Sequence, residues 1–256
     1  MTTRPPDPNS PRAIRWEIAV VLLVTFGLSG LSSILSLVES ALEAGALSDQ
    51  SVAINVPQSA LGPIDFLRQL LSVLRLLAWG GLGLYFLWRS GLGPRAIGFA
   101  RARLRPDVLH GVGLAALIGV PGLLFYLAAV ALDLNVTVQP STLNDVWWRP
   151  VTLTLSAIAN SVAEEVLVVA WLLSRLRALG WSDNRSLVAS ALLRGSYHLY
   201  QGFGAGLGNV VMGLIFGRYY QRTTRLWPLV VAHALIDIVA FVGYSALRGH
   251  LSWLPG

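Results

Sequence analysis

Apolar residues run along this chain in blocks long enough to cross a bilayer, separated by short stretches of Arg, Asp, Gly and Pro. The blocks lie at 14–40, 66–88, 107–132, 149–174, 185–202, 205–221 and 226–247, the fifth and sixth being short. Within them charges are sparse, as a helix in hydrocarbon requires. The first block is too long for a signal peptide and has no small-residue cleavage site, so it reads as an anchor. The expected fold is therefore all-α, a polytopic transmembrane helical bundle of about seven spans, eight at most. The opening MTTRPPDPNSPR is polar and Pro-rich, so residues 1–13 read as a disordered tail. Residues 14–132 follow as N-terminal membrane helices, and 145–247 as a second, more polar bundle.

Composition agrees. Hydrophobic residues make up 54% of the chain and charged residues 12%, with a mean hydropathy of +0.61, outside the range of soluble domains. The net charge of +6 comes from Arg alone, since there is no Lys. The arginines lie between the apolar blocks rather than in one soluble patch, which argues against nucleic acid as a partner. Without Lys there is no Schiff base or Ser/Lys dyad, and without Cys no thiolate nucleophile.

The arginines also orient the chain. Arg4, Arg12 and Arg15 precede span one; Arg89, Arg95, Arg101, Arg103 and Arg105 follow span two. Arg175, Arg177 and Arg185 follow span four, and Arg218, Arg222 and Arg225 follow span six. Basic loops face the cytoplasm, so the N-terminus is expected inside. Trp16, Trp88, Trp147, Trp148, Trp181, Trp227 and Trp253 fall at span ends, where interfacial anchors belong; Trp79 and Trp171 do not and read as packing.

Spans four to seven hold Glu164, Glu165, Arg194, His198, Asn209, His233 and Asp237. Counted from the nearest cytoplasmic Arg at about 1.5 Å per residue, Glu164 lies about 16 Å deep, Arg194 about 14 Å, His198 about 20 Å, and His233 and Asp237 about 12 and 18 Å. Ionisable groups meeting at one level point to a shared task. His233 and Asp237 are four apart and share a helix face, and Arg194 and His198 repeat that spacing. Glu164 and Glu165 point about 100° apart and cannot face one point equally, so their tasks should differ. Asn209, Arg68, Arg75 and His110 read as structural. In GFGAGLGNVVMGLIFG, Gly204, Gly208, Gly213 and Gly217 suit close helix approach rather than a phosphate loop.

The segments AEEVLVVAWLLSRLRALGW, SALLRGSYHLYQGFG and LWPLVVAHALIDIVAFVGY stand in the order of three motifs. On them the chain resembles the CPBP family of CAAX-protease and bacteriocin-processing (Abi) membrane proteins, from Trp148 to Leu247. The family's first motif is Glu-Glu-x-x-x-Arg; Glu164 and Glu165 match it, but Val169 stands at the Arg position. The second is Phe-x-x-x-His, matched by His198 with Arg194 at the Phe position. The third matches as His233 and Asp237. An Arg lost from one motif is thus gained in the next, and Arg194 is expected to pair with Glu165.

The resemblance implies hydrolysis of a peptide bond inside the membrane, on a membrane-associated peptide or protein substrate among lipids, in a bacterial inner membrane. Amide hydrolysis needs an activated water, a proton for the leaving amine and a partner for the oxyanion. Glu164 with His198 suits the first, and His233 oriented by Asp237 the last. Glu164, His198 and His233 are also zinc-ligand types, so a divalent metal and a purely glutamate-driven reaction both stay open. Two other classes compete: a non-catalytic scaffold or immunity protein of the same fold, and a proton-coupled transporter. No repeated halves favour the transporter. Ser196 as nucleophile is disfavoured, because residues two apart, as it is from His198, face apart on a helix.

Overall fold

The structure, a computed structural model, describes residues 7, 9–100 and 103–247. The expectations placed on residues 1–6, on Pro8, and on Arg101 and Trp253 lie outside them. Helix α1 (Pro11–Val24) starts on Ser10, whose hydroxyl accepts the Ala13 N–H, and has Pro at its start. The last residues of the expected tail are therefore helical. Helix α2 (Phe26–Leu42) follows at a 50° bend, where one straight span was expected. The break has a local cause: the Thr25 hydroxyl donates to Val21 O at 2.6 Å, and Gly27 packs where a Cβ would lie 2.7 Å from Leu22 O.

Among the described residues, four helical runs are long and apolar enough to cross a membrane: α3 (Gly62–Arg89), α4 (Leu104–Ala131), Arg149–Ala178 and Trp227–Leu247, with the bent α1–α2 pair as a fifth if it is one span. The run Arg149–Ala178 is α5 (Arg149–Glu164), a π-helical stretch Glu165–Trp171, and α6 (Leu172–Ala178). Trp227–Leu247 repeats this plan as α9 (Trp227–Ile238), π-helical Val239–Gly243 and α10 (Tyr244–Leu247).

The fifth and sixth expected spans appear as α7 (Asp183–Ser196) and α8 (Phe203–Thr223). With 14 residues, α7 is about 21 Å long, short of the roughly 30 Å hydrocarbon layer. It ends before His198, so His198 lies in the turn between α7 and α8 and not one helical turn beyond Arg194, as its spacing suggested. The turn's backbone is satisfied by the loop after α4: Phe203 N–H donates to Leu134 O at 2.9 Å, Val136 N–H to Gln201 O at 3.3 Å, and Ala205 N–H to Asn135 Oδ1 at 3.0 Å. Irregular backbone below a membrane surface needs such partners. Two short strands, β1 (Ser51–Asn55) and β2 (Thr137–Ser141), pair in parallel, Ser51 opposite Thr137. They are an addition to the expected all-α fold, formed where loops rich in β-branched residues cross.

The core sits on the Arg149–Ala178 run, whose residues from Ala163 to Leu173 are all buried. Helix α3 lies flush against it, with Gly83 where a Cβ would meet Leu167 and Val166 at 2.9 Å. Three of the four glycines singled out on α8 do what their spacing suggested: a Cβ at Gly204 would lie 2.6 Å from Ala129 Cβ, one at Gly213 2.9 Å from Ala191 Cα and one at Gly217 2.5 Å from Leu187 Cδ1, whereas Gly208 has room for a Cβ beside Phe125. A Gly213→Ala variant should lose about 1–3 kcal/mol as α7 and α8 are forced apart. Gly81 has open space around its missing Cβ, so Gly81→Ala should be neutral or stabilising by up to about 1 kcal/mol. Unfolding midpoints of the two variants in one detergent check the contrast.

Not every sequence signal kept its expected role. Trp148 is buried against Phe66, at a ring separation of 5.5 Å, and is no interfacial anchor, whereas Trp16, Trp88 and Trp147 are exposed. Trp171 is buried and donates to Glu17 Oε1 at 2.9 Å. Arg175 pairs with the same carboxylate at 3.1 Å, and Arg225 pairs with Asp107. Two arginines read as orientation signals thus also tie α6 to α1 and the α8–α9 loop to α4. His110 meets the Tyr219 hydroxyl at 2.8 Å, and Arg68 donates to Gln58 O.

Candidate active site

Helix α5 runs regularly as far as Glu164, and its register then widens for seven residues. A π turn inserted in an α-helix sacrifices hydrogen-bond geometry and is often found at functional sites. Here it begins at the second of two adjacent acids. Glu164 and Glu165 are both buried, at 2% and 0% exposure. Val169, at the position without the motif Arg, is sealed in the same core.

Arg194 reaches both acids from α7. Its Nη2 lies 2.6 Å from Glu165 Oε1 and its Nη1 3.4 Å from Glu164 Oε2, with no part of the guanidinium side chain exposed. The expected pairing of Arg194 with Glu165 is present. What spacing alone did not foresee is that one planar fork touches both neighbouring carboxylates, though unequally. Glu165 Oε1 also meets His233 Nδ1 at 2.8 Å. The other imidazole nitrogen, Nε2, lies 3.6 Å from Asp237 Oδ2, so the four-residue spacing on α9 does place both groups on one face. The cluster sets three carboxylates against one guanidinium. Buried charge must be matched, and the imidazole of His233, set between Glu165 and Asp237, lies where the excess negative charge is greatest.

Glu164 has different company. Its Oε2 accepts the Tyr197 hydroxyl at 2.6 Å, and no hydrogen bond reaches its Oε1 among the described residues. His198 stacks obliquely on Tyr197 at a ring separation of 4.8 Å. Both its ring nitrogens are buried and without a hydrogen-bond partner among the described residues. It lies within electrostatic reach of Glu164, Arg194 and His233. Unsatisfied buried imidazole nitrogens are costly, and at a hydrolytic centre they are places for water or a substrate carbonyl.

Two members of the cluster escaped the sequence reading. Tyr197 precedes His198 and was passed over as an aromatic. Asn160 donates to Asp237 Oδ2 at 3.0 Å; it lies one turn before Glu164, a same-face signal that was available. Asn209 donates to Ala205 O on its own helix at 3.0 Å, in keeping with a structural role. Ser196 donates to Leu193 O at 2.7 Å.

Among the described residues no three His, Asp or Glu side chains are arranged to hold a metal ion. Of the donors proposed for zinc, Glu164 Oε2 is engaged by Tyr197 and a cationic guanidinium and His233 by two carboxylates, which leaves His198 alone with free ring nitrogens among the described residues. A cation beside Arg194 would meet like charge, so this donor set does not fit a metal as it stands.

Residues 146–239 match the family model for Rce1-like type II CAAX prenyl endopeptidases. The matched segment runs from the start of α5 to the end of α9 and contains every member of the cluster. No curated protein and no solved structure matches the chain.

Proposed function

We propose that this chain, whose second half matches the model for type II CAAX prenyl endopeptidases, is an intramembrane endopeptidase of the CAAX-processing type. It sits in a cell membrane, a bacterial inner membrane by the all-Arg composition, with its basic ends and N-terminus in the cytoplasm. Helices α7 and α8 form the fifth and sixth membrane-embedded elements as a hairpin whose turn is held by the loop after α4. The observation that carries the reading is a buried carboxylate, Glu164, held at one oxygen by Tyr197 and within electrostatic reach of His198, whose two ring nitrogens are buried without a hydrogen-bond partner among the described residues.

The chemistry divides between the two acids. Glu164 Oε1 takes a proton from water as the water oxygen adds to the scissile carbonyl carbon, breaking the carbonyl π bond to give a tetrahedral oxyanion. His198, as a neutral imidazole, donates its one N–H to that oxyanion. Glu164 then returns its proton to the amine as the C–N bond breaks. Tyr197 and Arg194 hold Glu164 by its other oxygen. Glu165, Arg194, His233, Asp237 and Asn160 position these groups. This moves the oxyanion role assigned to His233 on sequence grounds to His198, because both nitrogens of His233 face carboxylates. No step requires a metal.

The test is cleavage of a fluorogenic peptide with a prenylated C-terminal Cys by the full chain in liposomes. Wild type should cut it, and His198→Ala should lower kcat by roughly 10²–10³-fold, the usual cost of losing one oxyanion donor. Wild-type protein that cuts neither this peptide nor its unprenylated form would return the chain to the scaffold reading.

A further inference from the structure

Away from the polar cluster, α4, α7 and α8 border an open groove of about 580 Å³ lined by Leu114, Leu187, Leu214, Ile215, Arg218, Tyr219, Arg222 and Thr223. Ligand pockets commonly have this size. Its polarity is graded. Arg222 and Thr223 close the last turn of α8, and that end is level with the start of α4, because Arg225 just beyond it pairs with Asp107. Leu214 lies eight residues earlier, about 12 Å deeper along the helix. The wall thus passes from guanidinium at the membrane edge to Leu and Ile toward the interior. Two arginines line it and no carboxylate does. Arg218 is steered by Asn184 and Gln221, while Arg222 is exposed and has no ion pair among the described residues.

We propose that this groove is a binding site for an anionic phospholipid. The phosphate is held by Arg218 and Arg222, and one acyl chain lies along Leu114, Leu187, Leu214 and Ile215. Arg presents a planar donor fork to phosphate oxygens, and basic pockets between membrane helices at the cytoplasmic edge recognise anionic headgroups. Charge complementarity selects the headgroup, and the apolar depth selects a lipid over a free anion. The inference does not depend on the hydrolytic reading.

Native mass spectrometry of the full, delipidated chain in neutral detergent, titrated with phosphatidylglycerol and phosphatidylcholine of the same chains, tests it. Wild type should prefer phosphatidylglycerol, and the preference should fall roughly fivefold for each arginine replaced in Arg218→Ala and Arg222→Ala. Arg222→Ala alone keeps the test open if the Arg218 variant unfolds. The double variant Arg12→Ala/Arg15→Ala removes two arginines from α1, which packs on α2 and α6, and should keep the preference. Three results would overturn the proposal: equal binding of the two lipids by wild type, an equal loss in the remote double variant, or full displacement of the lipid by excess inorganic phosphate.

Discussion

Glu164→Gln is expected to abolish peptide hydrolysis, lowering kcat by roughly 10²–10⁴-fold, while the protein folds as before. The substitution separates basicity from shape. Glu164 Oε2 accepts from Tyr197 and faces Arg194, and the carbonyl oxygen of Gln can take both contacts over. The amide NH2 then occupies the place of Oε1, where it can no longer take a proton from water. The loss should fall on kcat, because the missing interaction belongs to the transition state. Its unfolding midpoint should stay near wild type, since the buried guanidinium keeps Glu165. Cleavage of the prenylated peptide and thermal unfolding, measured on one preparation, decide the matter. Wild-type turnover by the Gln variant would remove Glu164 from the chemistry, and with it the proposed mechanism. A transporter or scaffold would show no hydrolysis to lose.

The second large effect is on stability. Arg194→Ala should cost about 3–5 kcal/mol, because it leaves two adjacent buried carboxylates with their main counter-charge gone. Arg194→Lys should recover only part of this: one ammonium cannot present the planar fork that spans both acids. Removing the partner at the same time is informative. Arg194→Met combined with Glu165→Leu should be more stable than Arg194→Ala, since an apolar pair replaces a broken ionic one, yet it should stay inactive because Glu164 loses its hold. Unfolding in detergent together with the cleavage assay reads both quantities. If Arg194→Ala kept full stability and activity, the idea that Arg194 makes good the Arg absent at Val169 would fail.

The sites of these two effects were legible to different degrees. The blocks that became α3, α4 and the Arg149–Ala178 and Trp227–Leu247 runs were readable because a helix that crosses hydrocarbon must be apolar along its length, whether it meets lipid or other helices. So was the convergence of Glu165, Arg194, His233 and Asp237, since polar groups at matching depth in hydrocarbon have few partners other than each other. The end of α7 at Ser196 was not readable. It depends on Leu134, Asn135 and Val136, more than sixty residues earlier, arriving to satisfy the turn. The burial of Trp148 was hidden for the same kind of reason, since it rests on Phe66 from a distant helix, whereas the bend at Thr25 has a local cause in Thr25 and Gly27.

What the amino-acid order determined by itself, then, is a membrane helical chain with an acidic pair and its counter-charges at one level, because burial in hydrocarbon penalises every unmatched polar group locally. Which contacts each acid makes beyond the Arg194–Glu165 pairing was decided only by the tertiary fold. The π-helical widening after Glu164 and the reach of Arg194 across both carboxylates give Glu165 to Arg194 and His233, and leave Glu164 with Tyr197, within electrostatic reach of His198. That difference arises from packing between α5, α7 and α9, where a shift of one residue in register redirects each side chain.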